Sequence, residues 1–163
     1  MDRRNLMMGL ALAGTGALSA AASAQSTATD PTIAAFARTL SAHDIDAFAA
    51  LFADDYVNHQ TSAAAPSPPA GISAKQASVG FFAARLKGLP DLSVAIEASL
   101  ASGGMAAASF VYTGTHQGTY FGVAPTGKSL RFTSCDIFRI RDGKIVEHWG
   151  MGDIAGTLAQ LKS

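Results

Sequence analysis

The chain has 163 residues, with twelve lysines and arginines against twelve acids and only 15% charged residues. It is sized for one globular domain and lacks the basic excess that nucleic-acid binding requires. Cys135 is the single cysteine and the four histidines are scattered, so there is neither an intramolecular disulfide nor a metal-ligand spacing; no metal and no organic cofactor is expected.

Residues 1–24 read as an export signal. Arg3-Arg4-Asn5-Leu6-Met7 gives a basic start, a small-residue apolar run reaches Leu18, and Ala22-Ser23-Ala24 offers a cleavage site. Gly9, Gly14 and Gly16 break the run, which is too short and weak to span a membrane, so no membrane association is expected after cleavage. The paired arginines resemble a twin-arginine signal, with an ordinary secretory signal as the alternative. The expected location is outside the cytoplasm of a bacterium, periplasmic or secreted. Residues 25–30 form a short leader and residues 31–163 the domain.

Asp30 and Pro31 open a first helix, Pro31 to Ala42, with Ile33, Phe36, Ala37 and Leu40 at helical spacing. Asp44 caps a second, whose apolar face carries Phe48, Leu51 and Phe52. Asp54-Asp55-Tyr56-Val57-Asn58-His59-Gln60 then reads as a helix end and short strand that puts Asn58 and His59 at a loop mouth. Pro66, Pro68 and Pro69 mark a loop from Thr61 to Gly71, and Ser73 to Lys87 is a third helix burying Val79, Phe81, Phe82 and Leu86.

From Leu92 the hydrophobic period changes to two. Strands are expected from Leu92, over Met105–Thr113, over Ser129–Ile140 and over Lys144–Gly150, and Asp153 caps a final helix, Ile154 to Leu161. Helices followed by a mostly antiparallel sheet is an α+β layout, and a strongly bent sheet covered on one face leaves a pocket. Asp142-Gly143 between β-rich runs is a hairpin signal. Gly122 to Ser129 matches the phosphate-loop pattern G-x-x-x-x-G-K-[ST], but the residues after Ser129 read as a strand and not a helix, so no nucleotide site is expected.

Polar groups that could do chemistry fall inside these apolar strands: His116, Asp136, Glu147 and His148. Buried carboxylates and imidazoles need a partner. A three-residue loop at the hairpin would set Asp136 opposite His148, on one face with Phe138 and Val146. A two-residue loop would set Asp136 opposite Trp149, with Glu147 diagonal and His148 turned outward. The first is the preferred register.

The motifs G-T-H-Q-G (Gly114–Gly118), G-V-A-P-T-G-K (Gly122–Lys128) and D-I-F-R-I-R-D-G-K-I-V-E-H-W (Asp136–Trp149), followed by Asp153, resemble the SnoaL-like polyketide cyclase family of the nuclear-transport-factor-2-like superfamily. The resemblance covers nearly all of the chain after the signal. It implies a cone-shaped α+β barrel with an apolar pocket, a homodimer packed through the sheet, and ring closure by intramolecular aldol chemistry without metal or cofactor. It places the acid–base aspartate of the cyclases at Gly150 and its orienting histidine at Asp136, while His116 and Asp153 keep the family's residue types.

Two functions are therefore expected as alternatives. One is an ester-cyclase-type catalyst using cofactor-free acid–base chemistry on a small apolar carbonyl or ester compound. Asp136, His148 and His116 would be catalytic there, and His59, Asn58, Trp149 and Asp153 would bind substrate. The other is a non-catalytic exported ligand-binding or dimerisation domain; a purely structural version would fill the pocket with its own Phe and Met side chains.

Overall fold

The computed structural model describes residues 28–60 and 67–163. The expected signal peptide and half of the leader lie outside the described residues, as does the first half of the Thr61–Gly71 loop. No helix among the described residues is long and apolar enough to cross a membrane.

Three helices precede most of the sheet: α1 (Pro31–Ser41), α2 (Ile45–Ala49) and α3 (Ala74–Gly88). The expected caps start the first two. The Asp30 carboxylate accepts the Thr32 N–H at 2.7 Å and Asp44 that of Ala47 at 2.9 Å. Ser73 and Gln76 close a reciprocal capping box at the head of α3. The expected second helix is too long. It ends at Ala49, Leu51 lies in the turn, and Phe52 opens β1 (Phe52–Asn58). That strand runs parallel to the last one, which the Ile145 N–H to Leu51 carbonyl bond at 2.8 Å locks in place.

The other strands are β2 (Ser93–Ser102), β3 (Met105–Thr115), β4 (Ser129–Arg141) and β5 (Lys144–Gly152), and α4 (Ile154–Lys162) closes the domain behind its Asp153 cap. They form one sheet in the order β1-β5-β4-β3-β2, antiparallel except for the β1–β5 edge. Register shifts interrupt β1, β2 and the β4–β5 pair, and such bulges increase local bend and twist. The inner face of this bent sheet packs on α1 and α2 through Ile33, Phe36, Leu40, Phe48, Phe110 and Phe138, all essentially buried. The rings of Phe36, Phe48, Phe110 and Phe138 meet at centroid distances of 5.0–5.6 Å around Phe36.

The hairpin register differs from both alternatives. Asp142 (φ 52°) and Gly143 (φ 70°) form a two-residue turn with Arg141 opposite Lys144. Val146 is then an extra residue: Ile140 pairs with Ile145, but Arg139 pairs with Glu147. Ile145 and Val146 are therefore both buried, and beyond them His148, Gly150 and Gly152 face inward while Glu147, Trp149 and Met151 face out. Asp136 lies opposite Gly150, not His148 or Trp149, and Phe138 lies opposite His148. The glycine-rich segment before β4 opens no helix, since Ser129 begins a strand, as the residues after it predicted.

Candidate active site

Between α3 and the inner face of the sheet lies an open cavity of about 270 Å³. Phe36, Phe52, Phe81, Phe82 and Phe138 give it apolar walls, and Tyr56, Asn58, Ser78, Arg85, Tyr112, Ser134, Asp136 and His148 give it polar ones. Among the described residues no Phe or Met side chain fills the cavity, as the purely structural version of the domain would require.

Asp136 and His148 meet on one wall. His148 Nε2 lies 2.9 Å from Asp136 Oδ1, and both residues are buried, at 9% and 6% exposure. The pair is diagonal across β4 and β5, and what permits the diagonal is Gly150. A Cβ there would stand 2.5 Å from Asp136 Oδ1 and 2.6 Å from His148 Nε2. On the other flank Asp136 pairs with Ala108, again a small side chain. The Ser134 hydroxyl donates to Asp136 Oδ2 at 2.5 Å, so both carboxylate oxygens are engaged. Phe138 stacks on the His148 ring with centroids 5.0 Å apart.

His148 Nδ1 lies 3.3 Å from Asn58 Oδ1, set beside it by the parallel β1–β5 register. That same oxygen accepts the Gln60 N–H at 3.0 Å. A backbone N–H can only donate, so the amide oxygen of Asn58, and not its nitrogen, faces the ring. Both ring nitrogens thus face acceptors, the arrangement a doubly protonated imidazole satisfies. The polar chain continues from Asn58 Nδ2 to Ser78 (3.4 Å) and Tyr56 (3.3 Å), and from Ser134 to the Tyr112 hydroxyl (3.4 Å). Burial pushes both phenols up to about 12, so they stay protonated and able to donate.

Of the seven residues singled out in the sequence, Asp136, His148 and Asn58 line this cavity; the other four do not. His116 is fully buried in the β3–β4 connection, where Nδ1 accepts the Thr126 N–H at 3.2 Å and lies 2.9 Å from its hydroxyl, while Nε2 has no partner. His59 and Trp149 stack on the outer side, 4.4 Å apart and nearly parallel. His59 also bonds Glu147 at 2.9 Å, and that bond, with Arg139, holds the Glu147 carboxyl below its usual value. Asp153 caps α4 through the Gly156 N–H at 2.8 Å. The sequence reading missed Tyr56, Ser78, Arg85, Tyr112 and Ser134. Ser78 and Arg85, seven apart on α3, are two of its three buried residues, and Phe81 and Phe82 lie between them on the cavity side. A polar i, i+7 pair flanking an aromatic pair was the available signal. Among the described residues no three His, Cys, Asp or Glu side chains converge to hold a metal ion.

The family model described as SnoaL-like polyketide cyclase matches residues 32–161. Among solved structures, the chain is similar to wild-type IdmH, a candidate polyketide cyclase from Streptomyces antibioticus, at 30% identity over 81% of this chain and 96% of that one, with a TM-score of 0.68. A candidate SnoaL-like polyketide cyclase from Jannaschia sp. CCS1 shares the fold at 19% identity, over 81% and 90% of the two chains, with a TM-score of 0.66. So does AclR, a candidate hydroxylase from Streptomyces galilaeus, at 23% identity over 80% and 78%, with a TM-score of 0.68. No curated protein matches. Different chemistries on one scaffold leave the reaction to be argued from the site.

Proposed function

Because this chain belongs to the SnoaL-like polyketide cyclase family, whose fold and membership support a cofactor-free cyclase-type function, we propose that it is an acid–base catalyst acting on a small, largely apolar carbonyl or ester compound. The observation that carries this is the buried Asp136–His148 contact of 2.9 Å on the wall of an open apolar cavity. In this reading Asp136 takes a proton from the carbon beside a substrate carbonyl, and His148, hydrogen-bonded to it, orients the carboxylate. The enolate so formed attacks a second carbonyl of the same molecule, and the proton returns to the new alkoxide. His116 was the expected donor to the enolate oxygen, but it is walled off from the cavity; the Tyr112 hydroxyl, held protonated by burial, takes that role here.

The resemblance put the acid–base aspartate at Gly150 and its histidine at Asp136. The two positions face each other across β4 and β5; in this chain the acid stands on β4 and the imidazole on β5, two residues before Gly150. The test is deuterium exchange into a panel of small methyl β-keto esters, followed by NMR. Wild type should accelerate exchange and Asp136→Asn should lose about 10²–10⁴ of it while still folded. Equal exchange by the folded variant removes Asp136 from the mechanism. Gly150 favours the second reading, a domain that binds such a compound without turning it over; saturable binding with no exchange would select it.

We propose further that a second copy packs on the outer sheet face. There the exposed Ile137 and Met151 stand beside Trp149 and Cys135, their cross-strand partners. Met151→Lys should shift a dimer toward monomer in light scattering. Export through residues 1–24 is a proposal too, tested by N-terminal sequencing of the chain recovered outside the cytoplasm.

A further inference from the structure

Arg85 has no role in the proton transfer just described, and its environment is unusual. It is 8% exposed, it lines the cavity, and it sits near the end of α3. Its guanidinium carbon lies 4.6 Å from the Tyr112 ring centroid, 4.9 Å from Phe82, 5.0 Å from Phe81 and 5.1 Å from Phe132. Nε donates to the Tyr120 hydroxyl at 3.0 Å. No carboxylate among the described residues forms an ion pair with it, and the sequence of residues 61–66, Thr-Ser-Ala-Ala-Ala-Pro, contains no acid.

A guanidinium cannot escape burial by losing its proton, because it stays charged at any ordinary pH. Buried charges are as a rule paired, since an unpaired one carries a desolvation cost of several kcal/mol. Aromatic faces reduce that cost through their quadrupoles but bring no countercharge. Tyr120 engages only one of the five guanidinium N–H groups. Asp136, the carboxylate on the same cavity wall, is paired with His148, so among the described residues Arg85 faces the cavity without an anion of its own.

We infer that the ligand supplies it: the compound bound in this cavity carries a carboxylate that Arg85 receives, the planar fork of the guanidinium matching both oxygens. This deepens the proposed function, on which it rests for taking the cavity as the substrate site, and it narrows the substrate from any apolar carbonyl compound to an apolar carboxylic acid. Tyr112 links the two ends. Its ring lies under the guanidinium, and its hydroxyl lies 3.4 Å from Ser134 Oγ, which bonds Asp136. A bound acid is thereby anchored at Arg85, with the rest of its body reaching toward the Asp136–His148 pair.

The test is a matched pair of unreactive probes, 3-phenylpropanoate and 3-phenylpropanamide, titrated calorimetrically into the full chain. The acid should bind at least tenfold more tightly than the amide, Arg85→Lys should keep part of that preference, and Arg85→Met should abolish it. If Arg85→Met does not fold, the Arg85 Nε–H resonance of the wild type decides: it should shift with the acid and not with the amide. Equal affinities, a preference that survives in folded Arg85→Met, an unmoved Nε–H signal, or no saturable binding of either probe would overturn the inference. The readout is equilibrium binding and not turnover. A failure here leaves the proton-transfer reading standing, and a failure of the exchange assay leaves this one standing.

Discussion

Gly150→Ala is the substitution that most sharply separates a glycine tolerated by chance from one the site requires. The added Cβ would meet Asp136 Oδ1 at 2.5 Å and the His148 ring at 2.6 Å, distances real Cβ atoms essentially never show. Neither neighbour can yield freely. Asp136 is held by the Ser134 hydroxyl at 2.5 Å, and the His148 ring is stacked on Phe138. The pair must therefore separate. Its charge-assisted hydrogen bond is worth about 1.5–3 kcal/mol, and parting two groups that stay buried adds to that, so the expected loss of stability is roughly 2–4 kcal/mol. For a domain of this size that lowers the melting temperature by about 5–15 °C. Gly152→Ala is the matched control. It lies two residues along the same inward face with nothing within 4 Å of its added Cβ, and should stay within about 0.5 kcal/mol of wild type. Urea denaturation of both variants checks the difference. Indistinguishable stabilities would refute the claim that the missing side chain at residue 150 makes room for the pair.

Gly118→Ala should be costlier than an ordinary strand substitution, about 3 kcal/mol by the same denaturation assay, because its Cβ would stand 2.1 Å from the Lys87 carbonyl oxygen, which is backbone and cannot rotate away. Asp91 accepts the Thr115 N–H at 2.6 Å and the Thr115 hydroxyl at 2.7 Å, and these bonds hold its carboxyl below the usual value. A lowered folded-state value means the stabilisation is complete above the unfolded carboxylate value of roughly 3.9 and is lost as pH falls through the folded one. Asp91→Asn should accordingly flatten part of the acid limb in a stability-versus-pH series; an unchanged limb would contradict it. ATP should leave the melting temperature unchanged, since Gly122–Ser129 leads into a strand; a stabilising shift would restore the phosphate-loop reading.

The legible parts of this chain were those fixed by local chemistry. Asp30 with Pro31, Asp44 and Asp153 announced three helix starts because a side chain that caps its own helix needs nothing distant. Asp142-Gly143 announced the hairpin for the same reason. The register was not legible, because it depends on a bulge at Val146 whose position is set by packing; the adjacent apolar pair Ile145-Val146, both buried, is its one trace in the sequence. Asp136 and His148 were found together, though by the wrong register, since a diagonal reached past a glycine brings them as close as a direct pairing would. Arg85 was missed for a different reason. An arginine on a helix ordinarily reads as solvent face, and its spacing from Ser78 across Phe81 and Phe82 was the one local sign that this one lines the cavity.

The central claim is that Asp136 and His148 hold a proton between them at the cavity wall. The measurement that bears on it most directly is ¹⁵N–¹H NMR of the His148 ring in wild type, Asp136→Asn and Gly150→Ala. The account predicts an Nε2-attached proton in slow exchange that moves in Asp136→Asn and disappears in Gly150→Ala, with the Nδ1 signal still reporting Asn58 in the first. An Nε2 resonance indifferent to both substitutions in folded protein would contradict the pair and the acid–base chemistry built on it.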